Sequence, residues 1–581
     1  MARADVLTTR AAALPRWPWG SGLLWLLFGL TALIVFAPIV MVLLGGFNVA
    51  APGEGFRFGL DNWRRAWADP TVWRALGNSV LILVTRGLLG FLIAVPLAWL
   101  VARTNLPGAR WLEFGFWVSF FMPSLAAIQG WIFLLEQRTG LLNQWLRLLP
   151  LGIPPLDVYS FWGIIWVHLM SQNVSALFVL LVLGFRNMDA SLEEAAHVCG
   201  ASRLNTVRQI TLPLTRPMLA MLVVLAIIRG LQSYEIEQVL GQPVGIDVYS
   251  TLVVKMLASE PPRIPEGTAL STFVLICLVP LIFVQRWYVG RRQYTTITGK
   301  MRAGPVELGR FRWPAFGLVA GLILLMTLVP FLSVVAGSLM RRWGYFAIAS
   351  PFTLQHWQRV LADSTFLNSL ANTLLLGVLA GIVSALVVFF VAYVLVRTTF
   401  PARGTLDFLS WLPWAIPGVL LSLGLVALVL MLPPLRLLYG SLLLLIIAVV
   451  LFRFPLGVHF VKSGLMQVSK ELEEASTVCG TGWLSTQRRI TVPILLPMLI
   501  AVALMTFVTA VNEVSGVVLL ASTDTRTLSL LSLGYLSGSM PEKESAAVVT
   551  TIMILLCVGV ALIARQFETR VADRARDSEQ P

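Results

Sequence analysis

The chain has 581 residues, of which 57% are hydrophobic and only 12% charged, and its mean hydropathy is +0.81. Soluble domains carry about 25% charged residues, so the composition excludes a water-solvated globular protein and makes lipid the main solvent. A formal charge of +14 would suit nucleic acid, but the placement of the basic residues assigns it to membrane orientation instead.

A helix needs about 20 apolar residues to cross the hydrocarbon core of a bilayer. Taken in chain order, such stretches fall at 23–46, 77–102, 112–135, 160–184, 213–239 and 269–290, then at 315–338, 370–396, 405–432, 438–461, 493–521 and 545–564. The runs are continuous rather than alternating, which predicts helices and not barrel strands. The expected fold class is therefore all-α, a polytopic membrane protein of about 12 transmembrane helices. The first stretch exceeds a signal-peptide core, and no small-residue cleavage pattern precedes Asn48-Val49-Ala50-Ala51-Pro52, so it is expected to be a retained span. With both termini inside, and with Arg216 and Arg286 at the inner ends of their spans counted as inner, the inner side holds 26 of the 43 Lys and Arg, the outer loops hold 14, and Arg86, Arg229 and Arg453 fall deeper within spans. That is the positive-inside bias, and it predicts a multi-pass inner-membrane protein with cytoplasmic termini and no nucleic-acid partner.

The chain repeats itself. Phe58-Gly59-Leu60-Asp61-Asn62-Trp63-Arg64-Arg65 is echoed 294 residues later by Phe352-Thr353-Leu354-Gln355-His356-Trp357-Gln358-Arg359. The same offset relates Asn78-Ser79 to Asn372-Thr373 and Arg103-Thr104 to Arg397-Thr398. Further on the offset is 280, joining Leu192-Glu193-Glu194-Ala195 to Leu472-Glu473-Glu474-Ala475 and Val198-Cys199-Gly200 to Val478-Cys479-Gly480. The 14-residue drop predicts an insertion in the first copy, within the outer loop 136–160. Two same-way units follow, 23–290 and 315–565, joined by a basic cytoplasmic linker at 291–314 and flanked by cytoplasmic segments at 1–22 and 566–581. Copies with an even number of spans share one topology and are related by an axis along the membrane normal, which predicts a pathway between them.

The best-matched segment is the polar loop between the fourth and fifth spans, where divergence would be the rule. Each loop opens on an acidic pair, Glu193-Glu194 or Glu473-Glu474, turns at Gly200 or Gly480, and ends near Pro213 or Pro493. A short helix-turn-helix is expected, displaying its carboxylates and Arg203, Arg208, Arg488 and Arg489 to the cytosol. A loop lying on lipid headgroups would satisfy one copy alone; two matched copies favour a specific role.

The pattern Glu-Ala-Ala-x3-Gly-x9-Ile-x-Leu-Pro, repeated as Glu-Ala-Ser-x3-Gly-x9-Ile-x-Val-Pro, resembles the EAA loop of type I permease subunits of ATP-binding-cassette (ABC) importers. The resemblance implies that Glu194, Ala195, Ala196, Gly200, Ile210 and Pro213, and Glu474, Ala475, Ser476, Gly480, Ile490 and Pro493, form ATPase-coupling loops. It implies a homodimer of ABC ATPase subunits beneath them, whose ATP and magnesium this chain does not itself bind, and a periplasmic substrate-binding protein at the outer face. No Gly-x4-Gly-Lys-Ser/Thr phosphate loop occurs in the chain, so the ATPase is expected to be a separate polypeptide and this chain a transport subunit rather than an enzyme. Arg229-Gly230-Leu231-Gln232-Ser233-Tyr234-Glu235-Ile236, followed by Leu240-Gly241, and Tyr294-Thr295-Thr296-Ile297-Thr298-Gly299-Lys300 are similar to segments of fused ferric-iron permeases. Ferric iron is the substrate that resemblance implies; thiamine, polyamine and aminoethylphosphonate permeases share similar features.

Ionisable residues inside spans usually face a protein interior or an aqueous path. Arg229, Glu235, Glu237, Asn512 and Glu513 are therefore expected to line the translocation pathway, with structural pairing as the alternative. Such acidic residues would be proton carriers in an ion-coupled secondary transporter, the rival class, but that scheme gives the duplicated loop no role. The four histidines, at 168, 197, 356 and 459, lack the spacing of a helix-borne metal site. The four cysteines, at 199, 277, 479 and 557, are expected to be small buried hydrophobes rather than disulfides.

Overall fold

The computed structural model describes residues 20–50, 55–150, 152, 154–186, 195, 196, 198–291, 306–538 and 541–577. Among them the chain is helical, with isolated bridge pairs in place of sheet. The first unit opens with α1 (Gly20–Phe47), a short α2 (Asp61–Ala68) and the 34-residue α3 (Pro70–Arg103). Asp69 caps α3 by accepting from Thr71 N at 2.9 Å, and Pro70 occupies the first turn, where its missing N–H has no partner to lose. Along α3, Val80, Val84, Leu88 and Leu92 are exposed at every fourth position, while Ser79, Ile82, Arg86, Gly90 and Ala94 are buried. One face is built for lipid and the other for protein.

Next come α4 (Ala109–Phe121) and α5 (Ser124–Leu135), bent from each other by 97° at Pro123, where proline removes a ladder hydrogen bond and disfavours helical geometry in the residue before it. A short α6 (Leu141–Leu148) lies in the predicted insertion. One span is then built from α7 (Phe161–His168), a π-helical turn (Leu169–Asn173) and α8 (Val174–Arg186). The paired loop contributes α9 (Arg203–Thr206) and a second π turn (Val207–Thr211) before α10 (Leu212–Leu231), and the unit closes with α11 (Tyr249–Leu257) and α12 (Ile264–Arg291).

The second unit repeats this plan. It comprises α13 (Arg312–Met326), α14 (Leu328–Leu339), α15 (Gln355–Ala362), α16 (Ser364–Arg397), α17 (Arg403–Trp411), α18 (Gly418–Met431) and α19 (Leu442–Gln467). Its loop holds α20 (Glu471–Val478), α21 (Trp483–Thr486) and a π turn (Gln487–Thr491), followed by α22 (Val492–Asn512), α23 (Leu528–Ser537) and α24 (Lys543–Asp577). Like α3, α16 has 34 residues and an aspartate cap, Asp363 accepting from Thr365 N at 2.9 Å. The bend recurs too, at 114° beside Pro417.

Ten helices among the described residues are long and apolar enough to span a bilayer, or twelve if each bent pair counts as one. Two details differ from the sequence expectation. The third and ninth spans are bent pairs rather than straight helices, because Pro123 and Pro417 interrupt them. The fifth and eleventh spans, expected to reach 239 and 521, stop at Leu231 and Asn512. Beyond these ends the chain leaves the helix and returns as α11 and α23. Matched hydrogen bonds seat these returns. Asn78 Nδ2 donates to Asp247 O at 3.0 Å and Tyr249 N to Ser79 Oγ at 2.9 Å; Asn372 Nδ2 donates to Asp524 O at 2.7 Å and Leu528 N to Thr373 Oγ1 at 2.9 Å.

The units interlock through their first spans. α1 packs on α18 of the second unit, and α14 packs on α5 of the first. A glycine permits each contact. A Cβ on Gly424 would fall 2.3 Å from Pro38 O, and one on Gly130 would fall 2.5 Å from Pro330 Cα. At the end of the bundle away from the paired loops, Trp343 stacks on Phe133 at 4.4 Å and donates Nε1–H to its carbonyl at 2.8 Å, while Lys543 pairs with Glu136 at 2.6 Å. The insertion is held there by buried Asn143, whose Nδ2 donates to the carbonyls of Leu135, Glu136 and Leu156 and whose Oδ1 accepts from Leu156 N. The segment 1–19 and linker residues 292–305 lie outside the described residues; the end of the linker is stitched back by Val306 N to Arg103 O at 2.9 Å.

Candidate functional site

The two polar loops make the same turn. Gly200 has φ +79° and Gly480 φ +77°, in the left-handed region that residues with a Cβ enter only at a cost. Around them Ala201 N donates to Ala196 O at 2.9 Å and Thr481 N to Ser476 O at 3.1 Å, the six-to-one bond of a Schellman helix end. Ala195 and Ala475 are exposed on the loop surface, and Ala196 and Ser476 are half-buried toward the second helix. Serine at 476, where the first loop has alanine, uses its hydroxyl: Oγ lies 2.9 Å from Thr486 Oγ1. Ile210 and Ile490 sit in the π turns, just before Pro213 and Pro493. Each proline lacks an N–H for the carbonyl four residues back and crowds it, and a widened turn accommodates the mismatch.

Val198 and Val478 stand beside these glycines, 89% and 87% exposed. Among the described residues, none covers them. Cys199 and Cys479, next in sequence, are exposed as well, and so is Cys277; only Cys557 is buried. The expectation of four buried cysteines holds for Cys557 alone, because the matched pair belongs to the loop tips.

The acidic pair divides. Glu193 and Glu194 lie outside the described residues. In the second loop Glu474 is exposed, but Glu473 turns inward, one residue and about 100° away around the helix. Its carboxylate accepts from Arg397 Nε at 3.0 Å and Tyr393 OH at 2.9 Å. The expectation that both carboxylates face the cytosol is therefore corrected for Glu473.

Within the spans, the five charged and polar residues singled out from sequence also divide. Glu237 is sealed inside the first unit, its Oε1 2.8 Å from His168 Nε2 and its Oε2 accepting from Ser233 Oγ at 2.6 Å. Arg86 NH1 meets the other imidazole nitrogen, His168 Nδ1, at 3.0 Å. A guanidinium can only donate, so Nδ1 accepts and Nε2–H donates to Glu237: a neutral imidazole bridges two opposite charges. The π turn at 169–173 directly follows His168 and holds Asn173, whose Nδ2 donates to Arg86 O at 3.0 Å.

The others meet at the seam between the units. Arg229 is exposed and lies over the Trp414 ring at 5.8 Å, with Gln232 donating to Trp414 O at 2.8 Å. Glu235 is half-buried and accepts from Ser124 Oγ, at the first residue after the Pro123 bend. Glu513 is half-buried, accepting from Ser515 Oγ and Gly516 N at 2.9 Å each, and Asn512 contacts Cys557 Sγ at 3.6 Å. Arg453, whose Nε donates to Thr509 Oγ1, joins the same region. Arg86, His168, Arg453 and Arg397 carry these networks without having been singled out as site residues from the sequence. Arg86 and Arg453 had a usable signal, since an arginine inside an apolar span requires a partner; the imidazole relay depends on the π turn and had none.

The family described as a binding-protein-dependent transport system inner membrane component matches the chain twice, over residues 88–292 and 398–573. The chain belongs to that family. It is similar to a putative ferric transport system permease protein of Haemophilus influenzae, 29% identical over 379 residues, 64% of this chain and 58% of that protein. The chain thus spans 58% of that relative's length. A probable ABC transporter permease protein of Sinorhizobium fredii is 25% identical over 507 residues, 85% of this chain and 86% of that one. Among solved structures, a bacterial ABC transporter involved in the import of the acidic polysaccharide alginate aligns over 46% of this chain and 96% of that chain, at 21% identity and a TM-score of 0.40. The chain is thus a multi-pass inner-membrane component of a binding-protein-dependent transport system, with both copies of the family's repeat in one polypeptide.

Proposed function

We propose that the two loops seat on a pair of identical ATPase subunits, which bind ATP and magnesium, and that their closure drives solute through the seam between the units. The observation that carries this reading is the repeated loop tip. One left-handed glycine turn, built twice, presents an uncovered valine, Val198 or Val478, beside an exposed cysteine. An isolated exposed valine needs no explanation, but the same one at the same turn of both copies fits a partner with twofold symmetry. Glu194 and Glu474 would pair with basic residues of that partner, and the loop face would be cytoplasmic, with both termini on that side.

Arg229, Glu235, Asn512 and Glu513 would line the path, since they are accessible although they lie between the units. Glu237 belongs to the sealed relay instead. The solute would arrive on a periplasmic substrate-binding protein at the opposite face. Ferric iron is the first substrate to test, because the Haemophilus influenzae relative is a putative ferric transport system permease; thiamine, a polyamine or aminoethylphosphonate would use the same machinery.

Thiol labelling tests the docking. Cys199 and Cys479 should label readily in the permease alone and be protected when the ATPase subunits are added, with Cys277 as the internal control. Equal labelling in both states would refute it. Uptake of radiolabelled ferric iron by cells carrying the complete system, competed by each alternative solute, decides the substrate.

A further inference from the structure

We infer that Glu473, Arg397 and Tyr393 form a latch that makes the second docking loop and the adjoining end of α16 move as one body, so that a displacement of the loop is passed directly to that span. The inference rests on the docking reading above and names the residues through which the motion passes.

Tyr393 and Arg397 are one helical turn apart on the last stretch of α16, so their side chains share a face. Four successive elements converge on them. From the end of α19, Val468 O accepts from Arg397 NH2 at 2.7 Å; from α20, Glu473 accepts from Arg397 Nε at 3.0 Å and from Tyr393 OH at 2.9 Å. From α21, Trp483 Nε1 lies 3.2 Å from Tyr393 Oη, and from the π turn Gln487 Nε2 donates to the same oxygen at 3.2 Å. Tyr393, Arg397, Glu473 and Gln487 are all buried.

A loop that only had to stay folded would not need this. Apolar packing of similar volume is often as stable as a buried ion pair, whereas the ion pair fixes one geometry and tolerates no sliding. Here the fixed geometry joins both helices of the loop to a helix that crosses the whole bundle. The tyrosine hydroxyl at the centre of the hub belongs to the second unit's sequence alone, although Arg103 and Glu193 match Arg397 and Glu473. The matched positions of the first unit hold Trp99 for Tyr393, Arg203 for Trp483 and Val207 for Gln487, so neither the hydroxyl nor its amide donor exists there.

The test measures the distance between the loop and the span in the full complex with its ATPase subunits. Spin labels are placed on Leu484→Cys, an exposed position of α21, and on Leu386→Cys, an exposed position of α16, with the four native cysteines replaced by serine so that the loop tip stays unlabelled. With the latch intact, the distance should be narrow and unchanged when ATP is added. In Glu473→Ala, and in Tyr393→Phe, which removes one oxygen atom and no packing volume, it should broaden and shift with ATP. The charge-exchanged pair Arg397→Glu with Glu473→Arg should narrow it again. Narrow, ATP-independent distances in both single variants would overturn the latch, as would an ATP-dependent distance in the intact protein. Failure of the ATPase subunits to co-purify with the intact permease would instead refute the docking reading on which the latch depends.

Discussion

His168 Nε2 lies 2.8 Å from Glu237 Oε1, with both side chains almost sealed from solvent, at 4% and 1% exposure. The pair separates two carboxylates only two residues apart. Glu237→Ala removes the acceptor for the imidazole and the counter-charge for Arg86; breaking a buried charged network in this way costs about 3–5 kcal/mol. The expected result is a large fall in melting temperature of the detergent-purified protein. Glu235→Ala removes an accessible carboxylate at the seam and should leave the melting temperature close to that of the intact protein while lowering uptake. Equal destabilisation by the two variants, or undiminished uptake in Glu235→Ala, would contradict the division.

Replacing Gly200 and Gly480 by valine forces a β-branched residue into a left-handed turn, at a cost of about 1–3 kcal/mol each. Among the described residues, apart from the glycine's own chain neighbours, no atom lies within 4 Å of the position a Cβ would occupy at either site, so the cost is backbone strain confined to the loop. The double variant should fold and insert normally but lose co-purification with the ATPase subunits. Retention of the ATPase together with coupled ATP turnover would sink the assignment of these turns to docking.

Gly424 and Gly130 test the interlock of the units. A side chain at either meets backbone atoms of a proline on the opposite unit, which cannot rotate out of the way as a side chain could. Gly424→Leu should destabilise by about 1–3 kcal/mol or more through overpacking. Thermal unfolding should show the loss, whereas Gly22→Leu, at a glycine with no contact within 4 Å among the described residues, should be silent. Equal melting temperatures for the two variants would mean that the units are not held at this contact.

Asn143 organises the insertion peculiar to the first unit. Asn143→Leu withdraws one buried amide from three carbonyls and one N–H, and an unsatisfied buried group costs about 1–3 kcal/mol. Limited proteolysis from the face away from the docking loops should cut the variant between residues 136 and 160 well before the intact protein. Unchanged protection would show that the insertion is held by its other contacts.

Much of this architecture was legible in the sequence because it rests on long-range averages. Apolar runs specify spans through the cost of lipid-exposed polar groups, and the two offsets specify a duplication whose elements, such as α3 and α16, proved equal in length. Individual interactions were less legible. Glu473 and Glu474 are adjacent in a matched motif, yet helix geometry points one inward and the other outward. Glu235 and Glu237 look alike as acids near the end of a span, but one meets Ser124 and the other His168. The ends of α10 and α22 were overestimated because hydrophobicity persists beyond them, into segments that are buried in protein rather than facing lipid. Pro123 and Pro417 were visible as residues, but a proline alone does not state whether a span will kink or fold through a right angle.

The crossing of α1 onto α18 has a consequence for synthesis. Phe47, the last residue of α1, and Gly418, the first of α18, are 371 positions apart. At roughly 5–20 residues per second, the first span must wait about 20–75 seconds in the bilayer before its permanent neighbour is made. Until then the surface around Pro38 faces lipid or a temporary escort. A ribosome that stops after the first unit therefore releases a polypeptide whose α1 and α5 still lack the surfaces they were shaped to meet.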